Sequence, residues 1–245
     1  EDDGRYRFDN PERRFDRPTG WMIAGKLGVR IDRIGATRVV VAAPVGEPVR
    51  RQNMLALMNW TLPRLAQLLP DFPDQLLIVA AGDPFWRGGL SGPASLYLHA
   101  DRPIISENGT STLVHELFHV GFGRRAASGD DWIIEGLAEY YSVTLLNRSG
   151  TTTDSRRDKT LAMLDRWGQE AETLRARRAS GPITARAVGV FVTLDEEIRR
   201  RSKDKYSLDT AVRALAAGDE PLSTEELRRE VAKLIGDDPE TLASL

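Results

Sequence analysis

The chain has no cysteine among its 245 residues. That absence excludes a disulfide framework, a thiolate metal site and a cysteine nucleophile together, so any metal here must be held by histidine and carboxylate. Histidine is itself scarce, with three in the whole sequence. No apolar run reaches the roughly 20 residues that a membrane-spanning helix needs, and Glu1-Asp2-Asp3-Gly4 lacks the basic start and apolar stretch of a signal segment. Neither charge is in excess: Lys plus Arg number 34 and Asp plus Glu 36. No net field draws the chain to nucleic acid or to an anionic membrane, and partners have to be recognised by local surfaces. What is present is 41% hydrophobic residues, enough for one substantial core or two small ones. A first residue other than methionine leads us to expect a processed or trimmed product.

Residues 1–36 mix arginine, acidic residues and turn formers, with Trp21-Met22-Ile23 and an alternation through Leu27, Val29 and Ile31. We read them as an irregular lead-in with short strands. Thr37 to Ala43 is a β-branched run ended by Pro44, the pattern of a strand buried on both faces. From Val49 to Leu69 apolar residues recur at helical spacing, with a kink or restart expected at Pro63. Leu76 to Ala81 and Ser95 to His99 read as two more strands, separated by the glycine-rich loop Arg87-Gly88-Gly89-Leu90-Ser91-Gly92. Beyond residue 108 helices are expected at 111–122, 132–147, 155–177, 187–201, 207–217 and 224–235, the last opened by Ser223 and Glu226 as a capping box. The class is α+β: a sheet part over 37–108 and a helical part over 109–245.

His115-Glu116-Leu117-Phe118-His119 carries the chemistry. On a helix, positions i and i+4 share a face, so two imidazoles can meet one ion from the same side. The glutamate after the first histidine then projects toward the open coordination position as a general base. The plain alternative is a surface helix with incidental histidines. A hydrolytic zinc needs a third protein ligand, and Glu135 sits among the apolar residues Trp132, Ile133 and Ile134, where an unpaired charge is costly and a dication would resolve it. Asp130 or Asp131 is expected to cap that helix. Glu139, four residues on, can hydrogen-bond a histidine or contact substrate, or simply face solvent.

His115-Glu-x-x-His119, fifteen residues, then Trp132-Ile-Ile-Glu135-Gly136-Leu-Ala138-Glu139-Tyr140-Tyr141 resembles the gluzincin aminopeptidases, and most of all the glycyl aminopeptidase family. Leu194-Asp195-Glu196-Glu197-Ile198-Arg199 and the segment from Ser207 to Leu215 extend the likeness over residues 37 to 217. The resemblance implies a zincin, thermolysin-like catalytic domain with one Zn2+, Glu135 as third ligand, Glu116 as base, and a peptide or protein substrate. It also implies an exported, periplasmic or secreted, enzyme and makes the lead-in a remnant of an N-terminal β domain. The sequence departs from that family twice. Where relatives place an oxyanion-stabilising tyrosine, Thr184 to Gly189 offers Arg186, with Tyr140, Tyr141 and Tyr206 as other donors. Where they place a glutamate for the substrate's free amino group, Gly88-Gly89-Leu90-Ser91-Gly92 has Ser91, so preference for a free N-terminus is in doubt. The strand around Tyr97 and His99 is expected to pair with an extended peptide, His99 alone being more often structural. A zinc-binding, catalytically degenerate fold serving as a peptide or protein interaction module is the competing expectation.

Overall fold

The computed structural model describes residues 19–243; the first half of the expected lead-in, residues 1–18, lies outside them. A five-stranded sheet has the order β1-β2-β3-β5-β4, with β1 at Leu27–Ile34, β2 at Thr37–Pro44, β3 at Gln75–Ala81, β4 at Gly89–Gly92 and β5 at Ser95–His99. β2, β3 and β5 run parallel, while β1 and β4 close the two edges antiparallel to their neighbours. The sheet thus begins at Leu27, inside the segment expected to be lead-in, because β1 and β2 form one hairpin.

Helix α1 (Arg51–Leu68) makes the crossover from β2 to β3 and runs through Pro63 unbroken. Its buried Met54, Leu55, Met58, Leu62 and Leu65 join Val39, Val41, Leu76, Ile78, Leu96 and Leu98 from one face of the sheet in a single core. The other face carries a smaller cluster of Val79, Ala81 and Tyr97, on which Trp21, Ile23 and Leu77 pack. The segment before β1 therefore lies against the sheet as a partial cover.

The rest is helical: α2 (Thr112–Phe122), α3 (Asp131–Arg148), α4 (Asp154–Gly168), α5 (Pro182–Ser202), α6 (Leu208–Ala216) and α7 (Thr224–Ile235). α3 is buried nearly all round. It lies between α2 and α5, and a side chain at Gly136 would meet Ala187 Cβ at 2.5 Å and the Phe191 ring at 2.9 Å. A glycine there sets how closely α3 and α5 approach. Two expected boundaries shift. α4 stops at Gly168, where a Cβ would strike the backbone of Arg186, and α5 starts at Pro182, which occupies the first turn where its fixed φ and missing N–H are tolerated. Asp130 caps no N–H of α3. Its buried carboxylate instead accepts from the backbone N–H and hydroxyl of Thr224, opening α7, and from Arg175.

Candidate metal centre

Two helices build the centre. α2 starts on Ser111, whose hydroxyl accepts from the Val114 N–H, and buries Leu113, Val114, Leu117, Phe118 and Phe122 on its core side. His115 and His119 are thereby turned outward toward α3. Two contacts hold α3 in place against them: the Ser142 hydroxyl accepts from the Ser111 N–H at 2.9 Å, and the Phe118 and Tyr141 rings stack at 5.2 Å.

The result is a convergence of three donors. His115 Nε2 and His119 Nε2 lie 3.1 Å apart, and the Glu135 carboxylate reaches them at 3.3 and 3.5 Å. Ligand atoms bound at about 2.0–2.2 Å to one tetrahedral ion stand roughly 3.3–3.6 Å apart. The three residues bring their donor atoms close enough to hold a single zinc-sized cation, with the two Glu135 distances made by different oxygens of its carboxylate, and among the described residues this is the one such grouping of histidines and acids. Glu139 accepts from His115 Nδ1 at 3.0 Å, which orients the imidazole and leaves Nε2 for the ion.

The charges are consistent with that use. Burial works against an imidazolium at His115, but the carboxylates of Glu135 and Glu139 raise its pKa to about 10. Burial likewise opposes ionisation of Glu135, yet the two histidines hold its carboxyl well below the ordinary range. The pocket is built for positive charge. Glu116 differs: it is 7% exposed, and burial pushes its carboxyl above the usual value against the pull of His115 and His119. A raised carboxylate pKa suits a group that must take up and release a proton.

Glu116 lies against β4, the edge strand of the sheet. A Cβ on Gly89 would meet Glu116 Cγ at 2.7 Å and Oε1 at 2.8 Å, so only glycine lets strand and base come this close. The segment expected to be a glycine-rich loop is therefore a strand over Gly89–Gly92. The expected peptide-pairing strand, Ser95 to His99, is instead interior, with β3 on one side and β4 on the other. It has no free edge to offer. His99 is buried at its end, where Nδ1 accepts from the Asp101 N–H and Nε2 lies 3.5 Å from Asp83. It takes no part in the metal grouping.

Neither Arg186 nor Tyr140 is brought to the cluster. Arg186 donates to the Ala171 carbonyl at 2.7 Å and lines a 570 Å³ hollow with Asp165, Gly168 and Thr193, between α4 and α5. Tyr140 is five positions beyond Glu135, on another face of α3; it meets Tyr141 edge-on, and burial with the nearby charge of Asp195 keeps its phenol protonated well above the ordinary range. Tyr141 donates to Asp209, and Tyr206 borders α6 with Lys205 over its ring.

No protein-family model matches the sequence, and no curated protein matches it. Solved structures do share its fold. An aminopeptidase N family protein from Idiomarina loihiensis superposes with a TM-score of 0.60 at 15% identity, over 90% of this chain and 44% of that one. A mutant M1 zinc metallopeptidase from Deinococcus radiodurans bound to the substrate Tyr-Ser-Ala gives 0.61 at 18% identity, over 89% of this chain and 50% of that one. A two-domain M1 zinc metallopeptidase mutant bound to L-arginine gives 0.61 at 19%, over 90% and 51%. The chain spans about half the length of these structures, and over that span it has the mixed sheet and helical layers of M1 metallopeptidases.

Proposed function

We propose that the chain is a zinc-dependent peptide hydrolase. The observation that carries this reading is the convergence of His115, His119 and Glu135 on one point, close enough to hold a single ion, next to a buried carboxylate at Glu116. The shared fold of M1 zinc metallopeptidases supports it, as does the sequence resemblance to glycyl aminopeptidases. A zinc ion bound there supplies an activated water and a Lewis acid for the scissile carbonyl. Glu116 takes the water's proton and returns it to the leaving amine. His115, oriented by Glu139, and His119 would hold the ion through their Nε2 atoms, with Glu135 as the third protein ligand.

The edge of β4 supports an extended peptide as substrate. The His99 N–H donates to the Gly88 carbonyl, so by the alternation of an antiparallel ladder Gly88 and Leu90 bond inward to β5 while Gly89 and Ser91 turn their backbone groups to the outer edge, which no other strand among the described residues covers. A peptide adding to that edge passes beside Glu116. Ser91 adds no negative charge for a free amino group, so N-blocked peptides are expected to be cleaved as well as free ones. The test is turnover of matched N-acetylated and free peptides, stopped by chelation and restored by zinc; full turnover in the chelated protein would end the proposal.

A second reading has one observation in its favour. Neither Arg186 nor any of Tyr140, Tyr141 and Tyr206 is engaged at the cluster, so none of the named donors awaits an oxyanion. A zinc-binding module that holds peptides without cutting them would show zinc-dependent peptide binding and no products.

A further inference from the structure

The substrate edge has an outer side that the metal chemistry does not use. Side chains alternate along β4: the Cα–Cβ direction of Gly89 points at Glu116 and Thr112, so those of Gly88 and Leu90 point to the opposite face. Leu90 pairs with Tyr97, which lies with Trp21 on the sheet face turned away from α1 and α2. The place a side chain at Gly88 would occupy is filled by the indole of Trp86. Leu90 and Trp86 are nonetheless 46% and 66% exposed. Trp21 adjoins them, donating its indole N–H to the Leu90 carbonyl at 2.8 Å.

These exposed apolar groups are braced. The Trp86 carbonyl accepts from the Tyr97 hydroxyl at 2.9 Å, the Arg87 carbonyl accepts from Arg102 at 2.9 Å, and Arg87 is paired with Asp83. These bonds hold the backbone that carries Trp86, and an aromatic with two side-chain torsions presented from an ordered backbone is an efficient contact because little freedom is lost on binding.

We propose that Leu90 and Trp86, flanked by Trp21, form a subsite for an apolar or aromatic side chain of an extended peptide. This rests on the peptidase reading above. In a strand added to β4, the residue opposite Gly89 points inward to Glu116 and the metal, and the residue opposite Leu90 points outward onto this surface. The chain thus selects substrates by the side chain next to the one it processes, and that side chain is large and apolar. The surface continues directly from the cleft edge, which is what commits it to the substrate and not to a separate partner.

The experiment is a zinc-loaded protein assayed on peptides varied one position at a time, as wild type, Trp86→Ala, Trp86→Phe and Leu90→Ser. The wild type is expected to favour Phe or Leu over Ser at one position flanking the cleaved residue by about tenfold or more, consistent with burial of one apolar side chain. Trp86→Ala and Leu90→Ser should erase most of that preference through KM, and Trp86→Phe should retain it. Cleavage with a side-chain preference that the variants leave unchanged overturns this proposal alone. No cleavage of any peptide by the wild type overturns the peptidase reading, and this one with it.

Discussion

Glu139 Oε2 stands 3.0 Å from His115 Nδ1, on the side of the imidazole away from His119 and Glu135. The ring is thus gripped at one nitrogen and offered at the other. A carboxylate in this role fixes the tautomer and raises the basicity of the donor atom. Glu139→Gln is expected to weaken zinc binding by about 10- to 100-fold with the fold intact. Competition against a chromophoric chelator measures it, and an unaltered affinity would remove Glu139 from the site.

Gly89 and Glu116 make the second relationship open to test. Placing a methyl group on Gly89 puts it within 2.7 Å of Glu116 Cγ and of Thr112 Cγ2, so the base must move. Gly89→Ala should lower kcat by about 100-fold, the size of effect expected from misplacing a catalytic group by an ångström. Zinc content should stay at the wild-type level, because the atoms nearest the added methyl belong to Glu116 and Thr112 and not to the three residues that would hold the ion. Loss of zinc in step with activity would show instead that the substitution disturbs α2 as a whole.

Ser142 ties α2 and α3 together. Its hydroxyl is buried and serves the Ser111 N–H, which alanine would leave without a partner. Ser142→Ala should cost about 1–3 kcal/mol of stability, the usual penalty for orphaning a buried donor. Urea unfolding is the measurement, and a change within a few tenths of a kcal/mol would mean that packing alone registers α2 against α3.

Acid stability tests the C-terminal clasp. Glu197 accepts from the backbone N–H groups of Glu240 and Thr241, the Thr241 hydroxyl and Arg201. Burial by itself would raise its pKa; these donors outweigh it and hold the carboxyl below the ordinary glutamate value. A carboxyl depressed in the folded state stabilises the protein above its unfolded pKa, about 4.3, and that contribution fades as pH falls through the lower, folded pKa. Glu197→Gln should therefore be less stable than wild type at neutral pH, with the gap closing below about pH 4. A gap independent of pH would locate the effect in shape and not in charge.

Why was the donor set readable from the chain while its surroundings were not? His115, His119 and Glu139 follow from helical spacing, which is local, and Glu135 from a charge set among apolar neighbours. β4 reads as a loop because none of the four residues of Gly89–Gly92 is β-branched or aromatic, and two of them are glycine. Its strand identity comes from Tyr97 and Leu96 beside it, a non-local cause. The two adjacent glycines at 88 and 89 were the available signal, since each makes room for a side chain from elsewhere, Trp86 and Glu116. Arg186 was placed by its position along a helix, which says nothing about facing; the end of α4 at Gly168 turned it to the Ala171 carbonyl. Asp130 or Asp131 reads as a cap for the helix they open, but packing brings α7 near enough to take the Asp130 carboxylate, and Asp131 accepts from the Ala179 N–H.

The proposed roles of His115, His119 and Glu135 as zinc ligands and of Glu116 as base are tested most directly by measuring zinc and turnover together in the wild type and in Glu116→Gln. About one zinc per chain is expected in both proteins, with a loss of turnover of at least about 100-fold in the variant, the scale of general base catalysis. Wild-type turnover in Glu116→Gln, or peptide cleavage by protein that holds no zinc, would contradict those roles.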